Sequence, residues 1–513
     1  MTLPDQWPLA WASANRRDTK VAPAVNPAAL RNSRPFCMHR LVVEFTTIAI
    51  LRFCAALSFA DTLRKAIRPD RPIHRGGIAP TMAMASAESK NQLVVEPAPG
   101  SKTALPMVIT LFFLWGFITC LNDILIPHLK TMFTLNYAEV MLVQTFFFAG
   151  YFIFALPSGK VIDWIGYKWT MVAGLLVMAV GALCFLPAAM APSFPMFLVA
   201  LGIVAAGMTL LQVAANPYVI VLGRPETASS RLNLAQAFNS LGTTVAPYIG
   251  SLFILSTIPL AADQLKLLSP VALHAYRVGQ ASVVKLPYTL IAIILVSFAI
   301  AMALYKLPAI HAHEDTASTA RLPSIWTQRH LVLGVIAIFV YVGAEVSIGS
   351  FLINYLNQPD IGNMPQKTAA LYVAFYWGGA MIGRFCGAGI TQKLRAGPVL
   401  GVAAIAACCL VVTSMLTFGH VAMWSIILVG LFNSIMWPNI FALGLAELGP
   451  LTNLGSSLLV MGILGAALIP LLQGFVADHI GIHHAFFLPA LCYVYICYYG
   501  FKGSIVRHLP IAA

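Results

Sequence analysis

Between Pro106 and His128 the chain reads PMVITLFFLWGFITCLNDILIPH. This apolar run is long enough to cross a bilayer as one helix, which takes ~20 residues. Asp123 stands near its far end, beside Asn122 and among Leu121, Ile124 and Leu125. An ionised carboxylate in hydrocarbon costs about 2.5 kcal/mol or more, so it persists only where it faces a cavity, meets a partner or takes up a proton. Such a group suits reversible binding of a cation. The plainer reading places Asp123 at a helix end among lipid headgroups.

A second concentration of polar groups lies in 209–242, TLLQVAANPYVIVLGRPETASSRLNLAQAFNSLG. Gln212 and Asn216 are one helical turn apart, and Asn233, Gln236, Asn239 and Ser240 recur at helical spacing. Unpaired amides are costly in lipid, so these side chains face one another or a wet cavity. As glue between helices each contributes about 0.6–2 kcal/mol. As a binding surface they offer donors and acceptors together, which suits a ligand with several hydroxyls and no net charge, such as a sugar. Trp115, Phe147, Tyr151, Tyr376, Trp377 and Trp437 are aromatic faces that could cover its C–H groups.

These side chains need membrane helices to hold them. Hydrophobic residues make up 59% of the 513 and charged residues 10%, against about 25% charged in soluble domains. Mean hydropathy is +0.82. The ~10-residue alternation of a membrane barrel is missing. The net charge of +13 does not point to nucleic acid: residues 1–81 carry 12 Lys and Arg against 5 Asp and Glu, so +7 of it lies there. The nine cysteines show no CxxC or Cys/His metal spacing and imply no disulfide framework. No cofactor or metal is implied.

Twelve apolar runs follow, near 106–128, 139–162, 169–189, 194–222, 232–257, 285–307, 330–355, 367–389, 398–417, 421–446, 455–477 and 484–502. Alternating the loops assigns twelve Lys and Arg to the side of the N-terminus, Arg384 counted among them, and five to the other side. That bias predicts cytoplasmic N- and C-termini. The expected organisation is an extension at 1–105, a six-helix bundle at 106–307, a central cytoplasmic loop at 308–329, a second bundle at 330–502 and a tail at 503–513. The extension reads as a targeting segment, a membrane-surface helix or, the reading preferred here, an over-extended frame whose true start lies near Met82 or Met84.

An internal echo supports the two bundles. Asn216-Pro217-Tyr218-Val219-Ile220-Val221-Leu222-Gly223 in span four parallels Trp437-Pro438-Asn439-Ile440-Phe441-Ala442-Leu443-Gly444 in span ten, prolines and glycines both offset by 221. Asp123 and Glu345 are offset by 222. Parallel repeats about an axis normal to the membrane give this pattern.

After span two, Gly159-Lys160-Val161-Ile162-Asp163-Trp164-Ile165-Gly166-Tyr167-Lys168 resembles the loop signature of the major facilitator superfamily, with Trp164 where a basic residue is usual. Gly159 and Gly166 permit close packing and a tight turn. Asp163 is placed to cap or pair across a helix end, and Lys168 to anchor the loop. An ordinary basic loop is the alternative. LFFLWG, LNDIL, QVAANPYV, RLNLAQAFNSLG, YVGAEVSIGSFL, YWGGAMIGR and GSSLLVMGILGAALIPLLQG together resemble the fucose–galactose–glucose symporter family of that superfamily, over roughly 106–502. The resemblance implies an all-α fold of twelve helices in two six-helix bundles, alternating access and cation-coupled sugar uptake. It makes Asp123 the leading coupling residue and puts sugar contacts on Gln236 and Asn239. Where the fucose branch has a glutamate in the fourth helix this chain has Gln212, as the glucose/galactose branch does. Glutamine does not titrate, so coupling must run through Asp123, alone or with Glu345, or use sodium. Glu345 either lines the cavity or pairs with Arg384.

The expectation is therefore a monomeric glucose/galactose:cation symporter of the inner membrane, taking a hexose with H+ or Na+, and no enzyme. Its sugar contacts would come from Asn122, Gln144, Gln212, Asn216, Gln236, Asn239, Trp437 and Asn439. A fucose or N-acetylglucosamine symporter, or a non-transporting sugar sensor, are the alternatives. GxSxG, HExxH and phosphate-loop motifs do not occur.

Overall fold

The computed structural model describes residues 101–133, 137–253, 268–308 and 324–506. Met82, Met84, most of the expected extension, the core of the central loop and the tail from 507 onward lie outside the described residues.

Span one is the helix Ser101–Phe133. Spans two and three form one element, Tyr137–Met190, broken at Gly166. The φ of 75° there is open to glycine at no steric cost, so one residue reverses the chain. Span four is Phe194–Val221, span five Ala228–Phe253 and span six Lys285–Leu304. The second half repeats the order: Arg329–Leu356 (span seven), Gln366–Lys393 (eight) and Ala396–Leu416 (nine). Span ten is broken into Gly419–Asn433 and Met436–Gly444. Span eleven comprises Thr452–Met461 and Gly465–Ile480 about a 3-10 turn, and span twelve runs from Ile482 to Gly503. The described residues thus hold helices at all twelve expected span positions. Eight described helices are long and apolar enough to cross a membrane by length and composition. Their outward faces carry large apolar side chains such as Ile153 and Leu471, as lipid contact requires.

One further helix, Pro270–Ser282, precedes span six where the expectation had a loop. Ser269 caps it by accepting from the Ala272 amide at 3.3 Å, with Pro270 at its first position. At 13 residues, with His274 and Arg277, it is by itself shorter than a bilayer crossing requires.

The same close approaches recur in both halves. A Cβ on Gly242 of span five would collide with the Phe113 carbonyl of span one, and one on Gly462 of span eleven would meet the Val335 carbonyl of span seven at 2.9 Å. Phe113 and Val335 are 222 apart, the offset that relates Asp123 to Glu345. Between the halves, span five packs on span eight and span two on span eleven. The ends of spans one, six and seven at Ser101, Leu304 and Arg329 define one face, the base, and the opposite face is the mouth. Lys168 anchors the turn between spans two and three to the base by donating to the Ala303 carbonyl at 2.7 Å.

Candidate functional site

A cavity of about 490 Å3 lies on the seam between the halves. Its walls come from Trp115 and Thr119 of span one, Phe147, Phe148 and Tyr151 of span two, Gln212 of span four, and Gln236, Asn239 and Thr243 of span five. The other half contributes Val342, Glu345, Val346, Gly349 and Ser350 of span seven, Trp377 and Arg384 of span eight, Trp437 of span ten and Ile463 of span eleven. The size is that of a small-molecule site.

Of the candidate sugar contacts, Gln212, Gln236, Asn239 and Trp437 meet in this cavity, and Glu345 joins them. Gln212 Oε1 is buried without a hydrogen-bond partner among the described residues. Asn239 Nδ2 donates to the Phe112 carbonyl at 3.0 Å, which fixes its orientation from span one. Trp437 stacks on Phe441 with centroids 4.8 Å apart. Trp115, Phe147, Tyr151 and Trp377 also line the cavity.

Two candidates lie elsewhere. Asn216 is fully buried and off the cavity, and both its amide atoms lack partners among the described residues. Asn439 accepts from Asn233 Nδ2 at 2.9 Å and acts as glue between spans five and ten. Gln212 and Asn216 are one turn apart on span four, but only Gln212 reaches the cavity. Tyr376 is likewise behind the wall: its hydroxyl donates to the Glu345 carbonyl at 3.2 Å and accepts from Asn433 Nδ2 at 2.9 Å. The side chains of Asn122, Asp123 and Gln144 lie outside the described residues; the backbone of the first two is helical within span one.

Arg384 was grouped with the loop charges by its count, yet it stands in the cavity wall. The loop bias becomes eleven against five, with its sign unchanged. Thr119, Thr243 and Ser350 carried no sequence signal, because a hydroxyl in an apolar helix usually bonds its own backbone. Thr119 does so, donating to the Trp115 carbonyl at 2.9 Å, and Thr243 to that of Ser240 at 2.8 Å.

Below the cavity the halves are tied. Asn453 of span eleven donates to Asp163 Oδ1 at 2.6 Å and accepts from Tyr167 Oη at 2.5 Å. Gly159 packs so tightly there that a Cβ would strike Ser457 Oγ. Ser230 Oγ donates to the Ala388 carbonyl at 2.7 Å.

Two prolines free carbonyls that take new partners, one across the seam and one within the second half. Pro217 has no N–H, so the Val213 carbonyl loses its helical partner; Ser456 Oγ of span eleven donates to it at 2.8 Å. Pro438 frees the Ser434 carbonyl in the same way, and Arg384 Nε donates to it at 3.2 Å. Val213 and Ser434 are 221 apart.

Along span five the tying residues Ser230 and Asn233 precede the cavity residues Gln236, Asn239 and Thr243; along span eight Trp377 and Arg384 precede Ala388. Each order puts the ties on the base side, so the cavity is closed toward the base.

The model of the Major Facilitator Superfamily matches residues 107–455. A glucose/galactose transporter of Brucella abortus is 50% identical over 401 residues, covering 78% of this chain and 94% of that one. The L-fucose-proton symporter of Escherichia coli is 39% identical over 404 residues, 76% of this chain and 90% of that one. The crystal structure of the transporter FucP in the outward conformation superposes with a TM-score of 0.72 at 36% identity, over 78% of this chain and 99% of that one.

Proposed function

The chain belongs to the Major Facilitator Superfamily, within its fucose–galactose–glucose symporter family, and from that premise we propose that it couples uptake of glucose or galactose to the entry of a cation. The observation that carries this reading is the cavity itself: amides from spans four and five share with tryptophans and a tyrosine a space with room for a hexose. Amides pair with hydroxyls in both directions and add no charge. The 50% identical relative is named for glucose and galactose, and this chain's Gln212 stands where the resemblance has a glutamate in fucose carriers.

The protein sits in the cell's inner membrane as a monomer, with the base in the cytoplasm and the mouth outside. The loop charges support that orientation. The structure is then outward-facing. Asp123 and Glu345 hold matching places in the two halves and serve as cation seats, for H+ or Na+. Gln212, Gln236, Asn239 and Trp437 hold the sugar, and Asn122 and Gln144 complete the set from spans one and two. Cation and sugar enter from the mouth, the halves rock, the ties at the base break, and both leave to the cytoplasm. Each ligand drives this only through its different affinity for the two states. Gly159, Asp163, Gly166 and Lys168 form the loop that gates the base.

Uptake into proteoliposomes under separately imposed proton and sodium gradients, with unlabelled glucose, galactose, fucose and N-acetylglucosamine as competitors, tests this. Accumulation driven by one gradient and blocked by glucose and galactose is expected. Equal uptake without either gradient, or competition by fucose alone, overturns it.

A further inference from the structure

Resting on the symport reading, we propose that Arg384 is a positioning residue that keeps the carrier from turning over with cation aboard and no sugar. The Ser434 carbonyl freed by Pro438 anchors the Arg384 Nε. From that anchor Nη1 reaches across the seam to Ser240 Oγ. Ser240 in turn donates to the Gln236 carbonyl at 3.2 Å. Span eight of one half is thus bound to the turn of span five that carries Gln236 and Asn239.

Glu345 stands on the same wall and is 9% exposed. The Tyr341 hydroxyl lies beside it, yet neither Tyr341 Oη nor Glu345 Oε1 has a well-formed hydrogen bond among the described residues. Tyr341 on its own span, Tyr376 on span eight and Tyr493 on span twelve are the nearby titratable groups; the facing wall of spans four and five presents neutral Gln212 and Gln236. Arg384 is the cation within electrostatic reach of Glu345 among the described residues. The Asp123 side chain lies outside the described residues.

One guanidinium therefore has two claimants. With Glu345 neutralised by its cation, Arg384 stays on Ser240 and the base is held shut. With Glu345 ionised and empty, a buried unpaired carboxylate costs more than a lost hydroxyl bond. Arg384 then turns to Glu345, Ser240 is released, and the empty carrier can return. With cation and sugar both aboard, the sugar's pull on Gln236 and Asn239 draws the same turn of span five away from Arg384. The empty and the doubly loaded forms move; the form with cation alone does not. That sorting prevents a cation leak.

The test reconstitutes the full chain and measures proton influx without sugar, with a parallel arm following radiolabelled sodium, beside sugar counterflow. Ser240→Ala is expected to raise sugar-free cation influx about tenfold, the factor one charge-assisted hydrogen bond is worth, with counterflow within about twofold of the natural chain. Ser240→Thr, which keeps the hydroxyl, should restore tightness, and Arg384→Lys, which keeps charge but not the fork, should leak. Ser240→Ala as tight as the natural chain, with counterflow intact, overturns the proposal. A natural chain with no counterflow of any hexose overturns the symport reading on which it rests, and the two failures are distinct.

Discussion

The two walls of the cavity are built from different chemistry. Spans four and five present Gln212, Gln236 and Asn239, all neutral, whereas spans seven and eight present Glu345 and Arg384. The halves share packing, proline placement and offset, so the difference is one of side chains laid on a repeated frame. Under the proposed function it sets a division of labour: one wall would read hydroxyls, and the other would hold charge and pass its state across the seam.

Breaking the charged side should have the largest effect. Asp123→Asn is expected to abolish uphill accumulation while sugar counterflow survives; unchanged concentrative uptake would remove span one from coupling. Glu345→Gln should likewise lose net accumulation and keep counterflow, because a permanently neutral side chain leaves Arg384 on Ser240 and stops the empty carrier's return. Loss of counterflow together with accumulation would make Glu345 a sugar contact and blur the division of labour.

On the neutral wall, Gln236→Ala and Asn239→Ala should each raise the half-saturating sugar concentration about tenfold or somewhat more, the worth of one or two hydrogen bonds, with the cation-to-sugar ratio unchanged. A changed ratio measured by parallel isotope fluxes would show that coupling also runs through the amides. The smallest effect belongs to the ties beneath. Asn453→Ala or Ser456→Ala removes bonds worth about 0.6–2 kcal/mol and tilts the balance away from the outward-facing form. Half-saturation from outside should then rise less than about tenfold, since only the fraction of competent carrier changes.

Much of this architecture was legible before folding. Twelve apolar runs announced twelve passes because a bilayer demands ~20 apolar residues each. Gly166 was read as a turn, and it is one, at a φ of 75°. The offset between Pro217 and Pro438 announced the repeat, though not its consequence, since a freed carbonyl shows its partner only when Ser456 or Arg384 arrives from elsewhere in the chain. The helix Pro270–Ser282 escaped notice because at 13 residues it is shorter than the apolar runs that signal a crossing.

The sites divide along the same line. Composition and periodicity determined that amides and carboxylates had to be sheltered from lipid, since hydrocarbon offers them no partner. Which shelter each found was a tertiary matter. Gln212 faces the cavity and Asn216, one turn away, does not; Asn233 spends itself on Asn439; Arg384 leaves the loops for the wall. Helical spacing specifies a face, and only the angle at which two bundles meet decides whether that face meets water, sugar or another helix.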